Sequence, residues 1–235
     1  MLNDTPFEWP VLTASRRSKL LRYAKCALTA QQQMMERQGE SILHYTLRQQ
    51  EQHLHMTHYP KGDRIDHTTG AQYFYHCHRE DFERTEQGHF HCFLRYPHIP
   101  KRIKPAPLPD WDKYLKNPMT HLVAIGMNQR GEPIRLFTVN RWVSSEIWYD
   151  GKHANSFINR FKMTLTDDPY WQILDQWVEA ILHLFAPQIT WLHQARDLAI
   201  LRADASIYDD KAIEELSGMP ISLKNQIEWL LKAST

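Results

Sequence analysis

Apolar residues recur at helical spacing along the first forty positions. Leu20, Ala24, Ala27, Leu28 and Met35 line one side of a segment spanning 15–38, the 3.6-residue period of an amphipathic helix. Ser15 is placed to cap its start and Gly39 to end it. A weaker helical stretch follows over about 40–54. From Tyr59 the period changes. Tyr59-Pro60-Lys61-Gly62-Asp63 and Thr68-Thr69-Gly70 have the composition of turns. Ala71–His78 alternates like a strand, 79–87 is a charged loop, and Gly88–Arg95 is a second strand, together a hairpin with a long connection.

Residues 96–119 hold six of the 13 prolines. Proline has no N–H for a sheet ladder, so this stretch reads as an extended connector. His121–Met127 and Pro133–Val143 read as two further strands around a turn at 128–132. Beyond Asp150 the pattern is helical. Asp168-Pro169 is a capped helix start, and Leu174, Trp177, Val178, Ile181, Leu182 and Phe185 form an apolar face that ends at Pro187. A further helix over about 188–203 and short ones near 210–217 and 222–233 complete the chain. The expected fold is one α+β domain over 1–235. A small, mainly antiparallel sheet of about four strands (59–143) is flanked by an N-terminal helical segment (15–54) and a helical C-terminal half (151–235), with helices over one sheet face.

Composition narrows the function classes. Lys plus Arg is 28 and Asp plus Glu is 27, a formal charge of +1, which argues against a nucleic-acid partner. The basic face of the first helix, Lys19, Arg22 and Lys25, reads as solvated. The segment from Trp171 to Leu192 is too polar to span a membrane. Three cysteines and no secretory leader point to a reducing, cytoplasmic setting. A faint helix-turn-helix pattern over 210–232 departs at Glu214 and Lys224, and residues 209–235 carry net negative charge.

The unusual count is 14 histidines, nine of them between His53 and His98. The hairpin carries His76-Cys77-His78 and His89-Phe90-His91. Residues i and i+2 of a strand share a face, so each pair projects together. If the loop closes symmetrically, His78 faces His89 and His76 faces His91. The four rings then form a rectangle about 5 Å by roughly 7 Å, on which three imidazoles can converge on one ion. A one-residue slip would destroy it. Neutral imidazole suits Zn²⁺ or Fe²⁺, with Cu and Ni as further candidates. Cys77 and Cys92 point to the opposite face, while Phe74 and Phe93 share the histidine face as an apolar wall. His121 is a candidate fifth member. Asp63, Asp66, His67, Glu80, Asp81 and Glu83 are candidates to complete or orient the site. Asn140 and Arg141 are ligand-binding candidates with His121: Asn140 can orient a ligand, and Arg141 can clamp an anion or pair with Glu146.

Gly70, His76, His78, Glu83 and Gly88 follow the order of the first cupin motif, but the last spacing is off and no second motif follows. The segments YPKGD (59–63), GAQYFYHCHR (70–79), GHFHCFLR (88–95), THLVAIGM (120–127) and NRWV (140–143) are similar to an uncharacterised bacterial family, a domain of unknown function, over about 55–200. That resemblance implies a soluble bacterial protein and supplies no activity. The reading is therefore a histidine-rich metalloprotein, in the class of metal-dependent oxygenases or hydrolases. The alternative is a non-enzymatic module whose histidines are structural, pH-responsive or hold a small-molecule ligand or a partner.

Overall fold

The structure is a computed structural model that describes residues 6–39, 41–47, 57–77, 86–203 and 205–232. Its helices are α1 (Ala14–Gln38), α2 (Ile42–Leu47), α3 (Arg141–Ser144), α4 (Ala154–Ile158), α5 (Pro169–Leu184), α6 (Ala186–Leu201) and α7 (Leu223–Lys232). Its strands are β1 (Tyr59–Ile65), β2 (Ala71–Cys77), β3 (Glu86–Arg95), β4 (Met119–Asn128), β5 (Pro133–Val139) and β6 (Glu215–Pro220). They form one antiparallel sheet in the order β1-β2-β3-β4-β5-β6. The architecture is α+β, with six strands rather than four. No helix among the described residues is long and apolar enough to cross a membrane.

Both extra strands have a physical reason. The turn-like YPKGD segment is a strand interrupted by a bulge: Tyr59 pairs with Tyr75 and Arg64 with Tyr73, and Gly62 and Asp63 take positive φ values of 86° and 62°. The turn residues are thus absorbed inside β1. Buried Arg64 then ties that strand to α5, donating to Asp167 at 2.7 Å and to Asp175 at 2.8 Å. β6 replaces the expected helix at 210–217. It pairs with β5, and the Ser217 hydroxyl lies 2.7 Å from that of Thr138 and donates to the Leu192 carbonyl at 2.8 Å. That strand also removes the helix-turn-helix reading. Helix α1 starts one residue earlier than expected, with Thr13 rather than Ser15 as cap, and ends at Gly39 as expected. Of the second helical stretch, Ile42–Leu47 is helical and 48–54 lies outside the described residues.

The sheet has two unlike faces. Tyr73, Tyr75, Cys77, Phe90, Cys92, Leu94, Val123, Ile125 and Met127 join the main apolar core with α1 and α5 residues such as Ala27, Leu174, Trp177 and Ile181. Phe90 and Trp177 meet across that layer with tilted rings, centroids 5.7 Å apart. Both sheet cysteines lie there, buried, as their parity requires. The opposite face carries Phe74, His76, His89, His91, Phe93, Phe137 and Val139, with small apolar clusters of its own.

Candidate metal centre

Strand pairing decides which histidines meet. His76 lies opposite His89, and Phe74 opposite His91. Relative to a symmetric loop, β3 has slid by two residues. An even slide preserves the alternation of faces, so His76, His89 and His91 still share one. His78, the fourth expected ligand, lies outside the described residues, as do Glu80, Asp81 and Glu83. The three remaining rings turn their Nε2 atoms towards one point. His89 Nε2 is 2.7 Å from His76 Nε2 and 3.0 Å from His91 Nε2. One donor atom from each ring falls within 4.8 Å of the other two. All three are buried, at 5%, 6% and 3% exposure respectively for His76, His89 and His91.

Two irregularities in the ladder bring the surrounding groups. Strict alternation would put Glu86 on the helix-facing side with Gly88, Phe90 and Cys92. The extra residue Gln87 between the pairs Glu86–Asn128 and Gly88–Met127 reverses it, and Glu86 Oε1 accepts from His89 Nδ1–H at 2.7 Å. Strict alternation would likewise put His121 with Val123 and Ile125. The extra residue Leu122, between the pairs Cys92–Val123 and Phe93–His121, turns it to the histidine face, where its Nε2 lies 3.0 Å from His91 Nδ1. Bulges that re-aim one side chain are frequent beside functional sites. Opposite His91 and His89, β4 offers only Ala124 and Gly126. A Cβ at 126 would come within 2.5 Å of Glu86 Oε2, so glycine leaves the space this carboxylate fills. Arg135 Nε sits 2.7 Å from the same Oε2 and its Nη2 donates to Glu215 at 2.6 Å, pinning Glu86 from the far side.

The electrostatics favour the neutral form of His91 and His121. Burial, with the neighbouring histidines adding to it, pushes His91 well below the usual imidazole range. Burial and then Arg196 push His121 down to about 3. Behind it, buried Glu146 accepts from the His121 backbone N–H at 2.7 Å and from the Thr120 hydroxyl at 3.0 Å, and burial raises its carboxyl to about 7. Tautomers follow from the partners. With its Nδ1–H donated to Glu86, His89 presents one lone pair at Nε2, yet two ring nitrogens stand within 3.0 Å of it. One lone pair cannot accept two linear hydrogen bonds, whereas a cation among three lone pairs satisfies all three. A carboxylate on the far nitrogen of a ligating histidine is the usual support of such a site.

Other expected residues lie elsewhere. Asn140 caps α3 and its amide donates to the Ile207 carbonyl at 2.6 Å and the Ile213 carbonyl at 3.0 Å. Arg141 is buried and donates to Asp110 and Asp209, both at 2.8 Å, rather than pairing with Glu146. Asp66 holds the turn through the backbone N–H of Thr68 and takes two bonds from Thr164, and His67 is exposed. Asp63 does reach the site's rim. Its Oδ1 lies 2.7 Å from His58 Nδ1, and the His58 ring stacks on Phe74 with centroids 3.6 Å apart. His58 and Glu86 are the two residues the chain pattern missed. Glu86 carried no local signal because only the bulge turns it round, and His58 precedes a stretch that looked like a turn.

These features define a class: an α+β protein with a buried three-imidazole cluster on one face of an open antiparallel sheet. The linear strand order is not that of a closed cupin barrel. Within that class the chain belongs to the family described as Domain of unknown function (DUF6969), whose model matches residues 22–221 and so takes in all six strands. No curated protein and no solved structure matches the chain.

Proposed function

We propose that this chain is a metalloprotein that holds one divalent cation, Zn²⁺ or Fe²⁺, on the Nε2 atoms of His76, His89 and His91. The convergence of those three atoms carries the reading. The donor set fits the group. Tetrahedral Zn²⁺ with bonds of about 2.0–2.1 Å spaces its nitrogen ligands about 3.3 Å apart, a few tenths of an ångström beyond the 2.7 and 3.0 Å seen between the rings. Small ring movements provide that spacing. His121 orients His91 from behind, and Glu86 orients His89. The depressed basicity of His91 and His121 favours a metal over a cluster that gathers protons near neutral pH.

Three protein ligands leave a coordination position over, the pattern of catalytic rather than structural zinc. Bound there, Zn²⁺ supplies activated water for hydrolysis, and Fe²⁺ supplies a seat for dioxygen. The aromatic wall of Phe74, Phe93 and Phe137 supports the same reading, because it keeps the surroundings apolar and strengthens charge interactions inside.

Elemental analysis of untagged protein tests this. The expected result is about one equivalent of zinc or iron per chain, lost on chelation and in the His76→Ala, His91→Ala double variant. Trace metal that is the same in wild type and variant, and indifferent to chelator, would overturn it.

A further inference from the structure

His58 is absent from the triad yet lies beside it. Its ring lies flat on Phe74, with an interplanar angle of 7°, and Phe74 is the residue opposite His91 in the ladder. The His58 and His76 ring centroids are 6.4 Å apart. A chain of polar groups fixes its orientation. Asn117 accepts from Arg95 at 3.1 Å, Arg95 donates to Gln72 at 2.6 Å, Gln72 donates to Asp63 at 2.8 Å, and Asp63 accepts from His58 Nδ1–H at 2.7 Å. With 43% of its side chain exposed, against 8% for His89, His58 also touches solvent.

We propose that His58, oriented by Asp63, is the proton acceptor of the site. Its Nδ1–H belongs to the carboxylate, so Nε2 keeps a lone pair, and there it takes the proton released by water polarised at the triad. The water O–H bond breaks, its electron pair stays on oxygen as hydroxide, and the proton bonds to Nε2. Nothing is oxidised or reduced. Asp63 offsets the charge of the resulting imidazolium, and the exposed edge of the ring passes the proton to solvent. The other candidates are occupied: His121 stands behind His91, and Glu86 is held between His89 and Arg135. The inference rests on the metal reading above.

The test uses full-length wild type, His58→Gln and Asp63→Asn, each loaded with Co²⁺ as a visible probe. Co²⁺ content should equal that of the wild type in both variants. The midpoint of the pH-dependent change in the Co²⁺ spectrum should rise by about one pH unit, or tenfold in acidity, in His58→Gln, and by less in Asp63→Asn. Retained Co²⁺ with an unmoved midpoint would overturn the proposal. So would loss of Co²⁺ from His58→Gln, which would make His58 a ligand. A wild type that takes up no Co²⁺ would instead overturn the metal reading itself.

Discussion

His183 and His193, on α5 and α6, are as deeply buried as the sheet-borne triad, and their surroundings are quite different. His183 Nε2–H donates to the Phe161 carbonyl at 2.8 Å and the ring stacks on Tyr23. His193 Nε2–H donates to the Leu122 carbonyl at 2.7 Å. Each inner ring thus spends its proton on one fixed acceptor, which is how a buried polar group is satisfied. In the triad the Nε2 atoms face one another instead. Burial alone therefore does not distinguish the two sets. The orientation of the lone pair does.

The largest expected effect separates the two sets. Structural zinc sites bind with about 10–16 kcal/mol over four ligands, so removing one triad ring corresponds to about 2.5–4 kcal/mol. His89→Ala should weaken Zn²⁺ binding roughly a hundredfold to a thousandfold, measured by competition with a chromogenic chelator, while His193→Gln should leave it unchanged. Equal losses in both variants would erase the distinction.

Glu86→Gln should act less strongly, lowering metal affinity about 10–100-fold with the fold retained by circular dichroism. The amide keeps the size of the group that fills the space over Gly126 but not the charge that His89 Nδ1–H meets. An affinity equal to wild type would mean that the bulge at Gln87 serves only the sheet.

The smallest effect sharpens the other side of the comparison. Burial lowers His183 from 6.5 to about 4. Below pH 6.5 the unfolded chain takes up a proton that folded His183 refuses, so the neutral ring's contribution is complete above that pH and declines as pH falls towards about 4. His183→Gln can still donate to the Phe161 carbonyl and has no proton to gain. Its urea-unfolding stability should decline less steeply between pH 6.5 and 4, by at most about 1.4 kcal/mol per pH unit. Parallel profiles would remove His183 as a source of acid sensitivity.

Much of the site was legible in the chain because side-chain alternation is a local property. His76, His89 and His91 had to share a face whatever the even register, and Cys77 and Cys92 had to leave it. Less legible were the groups that act through them. Glu86 sits at the wrong parity for the histidine face, and nothing in Glu86-Gln87-Gly88 announces a bulge. His121 was singled out by its type and its place at the start of a strand, although its own alternation with Val123 and Ile125 points the other way. The strand at Glu215–Pro220 pairs with β5, far upstream, whereas its own stretch read as a short helix near 210–217.

The amino-acid sequence by itself determined the main helices, the hairpin, its alternating faces and the placing of His89 and His91 on one face of their strand, because stereochemistry sets the 3.6- and 2-residue periods within each segment. Only the tertiary structure decided the two-residue slide that sets His76 against His89, the bulges that turn in Glu86 and His121, and the bulged first strand that carries Asp63 back to His58. Those depend on pairing between distant strands and on space left by residues such as Gly126, and neither is a property of any one segment.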